Sequence, residues 1–164
     1  MALSGDRYEV IQDITFFMDQ VAERGGCVTQ LTAGSGASLD QAANEVSYTA
    51  APSGYTPMGL LLNDVVDLDL TRQHINFHKN EVQKGGKVTI LREGWVVTNM
   101  IYPGLTPAAQ DLCYVSLSGY LNTTAEADES SAVSSQPIGR FETTLDEDGY
   151  VKVYVKVPVT GVPA

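Results

Sequence analysis

GGKVTILREGWVVTNMI, residues 85–101, is the stretch whose reading decides the fold of this chain. Two apolar runs, 88–91 and 95–101, flank Arg92, Glu93 and Gly94. β-Branched and aromatic residues on both arms, with a glycine between them, predict a β-hairpin that reverses at that triplet. Val88 and Ile90 share one face and Lys87, Thr89 and Leu91 the other; Trp95, Val97 and Asn99 alternate with Val96, Thr98 and Met100. Both faces are therefore partly apolar, as in the strands of a small closed barrel or a packed sandwich. Trp95 is expected in the core.

Downstream the same grammar repeats. Residues 112–117 predict a strand, Ser118-Gly119 a turn and 120–123 a return strand. Residues 125–136 are small and acidic and predict a loop. Residues 138–145 and 150–157 predict two strands joined at Asp146-Glu147-Asp148-Gly149, where Gly149 supplies a positive φ. Val151, Val153, Val155 and Val157 lie on one face of the last strand, and Tyr150, Lys152, Tyr154 and Lys156 on the other. Pro158 and Pro163 then stop the sheet.

Upstream, residues 58–62 are a short apolar run, and Val66, Leu68 and Leu70 alternate with Asp67 and Asp69 as a half-wet strand. Residues 72–83 are a polar connection. Residues 46–50 and 27–32 predict strands, 39–44 a single helical turn, and the small residues 33–38 a linker. Residues 1–26 fit two patterns. Val10, Ile11, Ile14, Phe17, Met18 and Val21 fall on one helical face, with Asp6 and Glu9 as a capping box and Gly25-Gly26 as a stop. Tyr8, Val10, Ile14, Phe16 and Met18 share one strand parity. Helix is the preferred reading of the two. The fold expected is mainly β, a small antiparallel β-barrel or sandwich over residues 57–164. Residues 1–56 would be an N-terminal arm with short strands and a short helix.

The formal charge is −10, from 20 acids and 10 bases. Such a chain repels phosphate, so nucleic acid is not an expected partner. No run approaches the ~20 apolar residues of a membrane span, so no membrane partner is expected either. The first residues lack the basic start and apolar centre of a secretory signal. Cys27 and Cys113, far apart in sequence, read as free thiols of a protein made in a reducing cytoplasm, with a single bridge between them as the alternative.

Catalytic patterns are weak. His74 and His78 stand four apart, with Asp67, Asp69 or Glu81 as a third ligand, but without HExxH or a confident helix. They read as structural histidines. Asp64, Asp67 and Asp69 read as a solvated strand face rather than an acid–base pair. Asp146–Gly149 lacks calcium-loop register, Gly34-Ser35-Gly36 is too isolated for a phosphate loop, and no serine has a histidine and acid in context. No enzyme activity, no metal and no cofactor are expected. Trp95 and the eight tyrosines could form a sugar platform, and Tyr150 and Tyr154 are placed at a subunit contact.

Three stretches in order carry a resemblance: GGKVTILREGWVVTNM at 85–100, DLCYVSLSGYLNTT at 111–124 and PIGRFETTLDEDGYVKVYVKV at 137–157. Together they resemble the small β-barrel head-decoration, or cement, proteins of tailed bacteriophages, over about residues 58–157. The stretch 58–80 is also similar to phage structural proteins. The resemblance implies a structural protein of the virion that sits on the outer capsid surface, after assembly in the host cytoplasm. Its partners would be the major capsid protein and itself, as a homotrimer. The apolar residues Tyr8, Phe16, Phe17 and Met18 would engage the capsid, and Tyr150 and Tyr154 the neighbouring subunit. The alternative is a carbohydrate- or receptor-binding β module of a phage tail or cell surface.

Overall fold

The computed structural model describes residues 3–31, 44–51, 55–64, 81–125, 127–128, 131–134 and 136–157. The readings at 33–38, 39–43 and 66–70, and His74, His78, Asp67 and Asp69, lie outside them. The described residues are nearly all β, as the mainly-β reading expected. In chain order the strands are β1 (Leu3–Met18), β2 (Ala22–Glu23), β3 (Cys27–Gln30), β4 (Glu45–Ser47), β5 (Pro57–Asp64), β6 (Glu81–Val82) and β7 (Lys87–Thr98). There follow β8 (Leu112–Val115), β9 (Leu121–Asn122), β10 (Ala127–Asp128), β11 (Ser131–Ser134), β12 (Pro137–Phe141) and β13 (Val151–Lys156). One turn of 3₁₀ helix, Leu117–Gly119, joins β8 to β9. The acidic loop after β9 contains the ribbon β10–β11.

The expected hairpin is not formed. Residues 87–98 are one continuous strand through Arg92, Glu93 and Gly94. Both of its halves pair with β1 instead of with each other, from Phe17 opposite Lys87 to Leu3 opposite Thr98. The triplet is a bulge: Glu9 stands opposite Gly94, and the next pair along β1 is Ile11 with Glu93. The two charged residues that resembled a turn are fixed on neighbouring strands. Arg92 pairs with Asp13 of β1 at 2.9 Å, and Glu93 with Lys156 of β13 at 3.5 Å.

The bulge is also where the other edge of β7 changes partner. β5 pairs with its first half, at Val88–Leu91, and β13 with its second half, Glu93–Thr98. Two closed rings result. In the first, β1, β4, β3, β5 and β7 close through the β1–β7 pairing. In the second, β7, β13, β12, β8 and β9 follow one another, and β9 returns to the segment just after β7. There Leu121 bridges Ile101, with Leu121 N–H donating to Met100 O and Tyr102 N–H to Leu121 O, both at 2.9 Å.

Each ring has its own core. Phe16, Met18, Val28, Val46, Leu61, Val88 and Ile90 fill the first. Val96, Cys113, Val115, Leu121, Ile138, Phe141 and the valines 151, 153 and 155 fill the second. Leu60, Leu62, Leu91 and Cys27 project from the first ring's strands into the second core. β5 is thus buried on both faces, which is why it reads as an unbroken apolar run rather than an alternation. Burial of each of its leucines stabilises the fold by about 2 kcal/mol. Tyr48 sits at the junction: its hydroxyl donates to Glu23 O at 2.6 Å and accepts from Gly26 N–H at 2.9 Å.

The first 30 residues are not an appendage. β1 is a 16-residue strand, so the helical preference is overturned. The apolar residues that suit a helix face are divided by the strand: Phe16 and Met18 point inward, Val10 and Ile14 outward. β1, β3 and β4 all belong to the nine-stranded sheet, so residues assigned to an arm build the first ring.

Other expectations stand as read. The Asp146–Gly149 turn is a tight reversal in which Asp146 Oδ1 accepts from the N–H groups of Asp148 and Tyr150. Val151, Val153 and Val155 are buried while Lys152 and Lys156 are exposed. Cys27 and Cys113 are free thiols, fully buried in the second core. Burial pushes the Cys27 thiol up to about 12, and burial beside Cys27 pushes Cys113 well above its ordinary range. Both thiols should therefore be inert to an aromatic disulfide reagent in the native protein and titrate together, in denaturant, along the global unfolding curve. Native-state reaction of either one would refute this placement.

Candidate interaction surface

The outer face of the second ring carries a transverse row of large side chains. Strand register puts Tyr8 of β1 opposite Trp95 of β7, Trp95 opposite Tyr154 of β13, Tyr154 opposite Arg140 of β12, and Arg140 opposite Leu112 of β8. Residues directly opposite in a ladder share a face, so all five point outward. The aromatic rings form a tilted series, with centroids 5.7 Å apart from Tyr8 to Trp95 and 4.8 Å from Trp95 to Tyr154. The Arg140 guanidinium lies 5.8 Å from the Tyr154 ring centroid and extends the row by a cation–π contact. Trp95 is half-buried rather than enclosed, which corrects its assignment to the core. The bulge at Gly94 sets this parity: beyond it Val96 and Thr98 turn inward, and Trp95 and Val97 outward.

Charged pairs hold the row from both sides. Tyr154 hydroxyl donates to Glu93 Oε1 at 3.1 Å, and burial together with that carboxylate pushes the phenol above its ordinary range, so it stays a donor. Arg140 Nε donates to Glu142 Oε1 at 2.7 Å, and Arg7 pairs with Glu9. Beside the row lies a half-open cleft of about 630 Å³ lined by Asp6, Arg7, Tyr8, Trp95, Val97 and Lys152.

A second exposed strip runs along β1. Tyr8 is 66 % exposed, and Val10, Ile11 and Ile14 are each about half exposed. Below it, the Arg92 guanidinium lies 5.6 Å from the Phe16 ring centroid while pairing with Asp13. Burial pushes the Asp13 carboxyl up, but bonds from the Thr15 hydroxyl and amide and from Arg92 outweigh it and hold the group below its ordinary range. A depressed folded pKa contributes stability above the carboxylate range and loses it as pH falls through and below 3.8. Asp13→Asn should therefore lower stability at neutral pH and leave a shallower loss on acidification, measured by urea midpoints from pH 7 to about pH 3. Identical acid limbs in the two proteins would show that Asp13 is not coupled to folding.

The residues proposed from sequence as contacts are divided among different roles. Tyr8 and Tyr154 come together on the row. Phe16 and Met18 are buried in the chain's own first core and cannot reach a partner, a correction that follows from β1 being a strand. Phe17 is half-buried with Lys87 Nζ 5.8 Å from its ring centroid, and Tyr150 is half-buried just before β13. Arg140 and Ile11 were missed, and Trp95, considered for a sugar platform, was assigned to the core. The outward parity of Tyr154 was legible, but finding its neighbours needs the strand pairings, which no local pattern encodes. Among the described residues no three His, Cys, Asp or Glu side chains converge as a metal site would require. The chain matches no protein-family model and no curated protein.

Proposed function

We propose that this chain is a head-decoration protein of a tailed bacteriophage, a structural protein that binds the outer surface of the capsid as a homotrimer and braces contacts between major capsid subunits. The observation that carries the reading is the exposed apolar strip of Tyr8, Val10, Ile11 and Ile14 on one long strand. Four large apolar side chains left exposed within seven residues of one strand supply the apolar surface that a protein contact uses. A stable clamp needs on the order of 1,600 Å² of interface, more than the strip alone and within reach of the strip plus a neighbouring barrel side. The charge of −10 suits a shell exterior, away from packaged DNA. The sequence resemblance points the same way.

Two measurements test it. Light scattering should give a solution mass near three times that of one chain. The protein should also co-sediment with expanded, undecorated heads, and Ile11→Asp with Ile14→Asp should abolish that while leaving the unfolding midpoint within about 1 kcal/mol of wild type. Absence of co-sedimentation by the wild-type protein, or undiminished binding by the folded double variant, would defeat the proposal.

A further inference from the structure

We propose that the Tyr8–Trp95–Tyr154 row and its flanking cleft form a carbohydrate-binding site for a neutral oligosaccharide. The inference does not depend on the capsid reading. Three aromatic rings stand in an outward series from β1 to β13, the most exposed being Tyr8, with Trp95 and Tyr154 half-buried beside it. The polar edge of the site supplies what hydroxyls need. Glu93 and Glu142 offer carboxylate oxygens, and Arg7, Arg140 and Lys152 offer N–H donors. The cleft of about 630 Å³ falls in the range of small-ligand sites, which combine apolar walls with a few placed polar groups.

Charge selects among ligands that stack on aromatics. Four bases (Arg7, Arg140, Lys152, Lys156) and four acids (Asp6, Glu9, Glu93, Glu142) surround the row, so its formal charge is zero. The chain's whole formal charge of −10 therefore lies elsewhere on it. Nucleic-acid bases also stack on such platforms, but they bring phosphates that this acidic protein repels. An anionic saccharide meets the same repulsion. A neutral sugar does not, and the ion pairs hold their donors and acceptors in place without requiring a counter-charge from the ligand.

Trp95 is the single tryptophan of the chain, so its emission reports on this site alone. Titration of the full chain with cello-, malto-, chito- and manno-oligosaccharides should give a saturable emission change for at least one series. Calorimetry should show Tyr8→Ala and Tyr154→Ala each weakening that ligand about tenfold, the strength of a good aromatic contact. Tyr102→Ala, an exposed tyrosine outside the row, should leave affinity unchanged. Ile14→Asp should retain sugar binding whatever it does to head binding, which keeps this test separate from that of the capsid contact. Two results would overturn the inference: no saturable response to any series together with an empty glycan array, or sugar binding unaffected by Tyr8→Ala. Loss of head binding in Tyr8→Ala without any bound saccharide would assign the row to a protein partner and overturn it as well.

Discussion

A chain lacking residues 1–18 is expected not to fold. β1 is the pairing partner of β7 along both of its halves, so its removal opens the first ring and bares one edge of β7 along its whole length. It also withdraws Leu3 from the second core and Phe16 and Met18 from the first. Those three side chains alone account for on the order of 6 kcal/mol of apolar burial. The exposed edge of β7 adds unpaired backbone groups in partly dry surroundings. Together these exceed much of the ~5–15 kcal/mol by which a domain is usually stable. The truncated chain should show no cooperative urea transition and no dispersed amide spectrum. The same deletion would leave a folded barrel if residues 1–26 were an arm, so a retained transition would restore the arm and refute the ring.

That contrast shows what the sequence makes legible. The valine face of β13 and the turn before it could be read because alternation and turn chemistry are local. β5 betrayed its burial through consecutive leucines, although not that it divides two cores. β7 was misread because a charged pair followed by glycine has the same composition in a turn and in a bulge. What separates them is whether the flanking strands pair with each other or with a third strand, and here the third strand lies about 80 residues earlier. β1 was misread for a related reason. Its register against β7 shifts at several points, so its outward residues drift from strict alternation toward a pattern that also fits a helical stripe. The aromatic row inherits both errors, since it is assembled from one residue on each of three strands.

The bulge itself can be broken with a single methyl group. Gly94 has a φ of +154°, in the region that side-chain-bearing residues rarely adopt. A Cβ there would stand 2.3 Å from the Tyr8 carbonyl oxygen, 3.1 Å from Leu91 Cδ1 and 3.2 Å from Glu9 Cα. The leucine methyl has room to rotate away, but the Tyr8 carbonyl is backbone within the β1–β7 ladder. It can retreat only if the two strands separate where β5 hands β7 over to β13. Gly94→Ala is therefore expected to lower stability by about 3 kcal/mol or more, read from the urea midpoint. Gly85→Ala is the matched control: its φ is also positive, at +76°, but nothing lies within 4 Å of the added atom. It carries the conformational strain alone and should lose about 1 kcal/mol. Equal losses in the two variants would mean that strain, not the close approach of β1, governs Gly94. A larger loss at Gly94 would show that the chain needs glycine there to keep β1 against β7 and to turn Trp95 outward between Tyr8 and Tyr154.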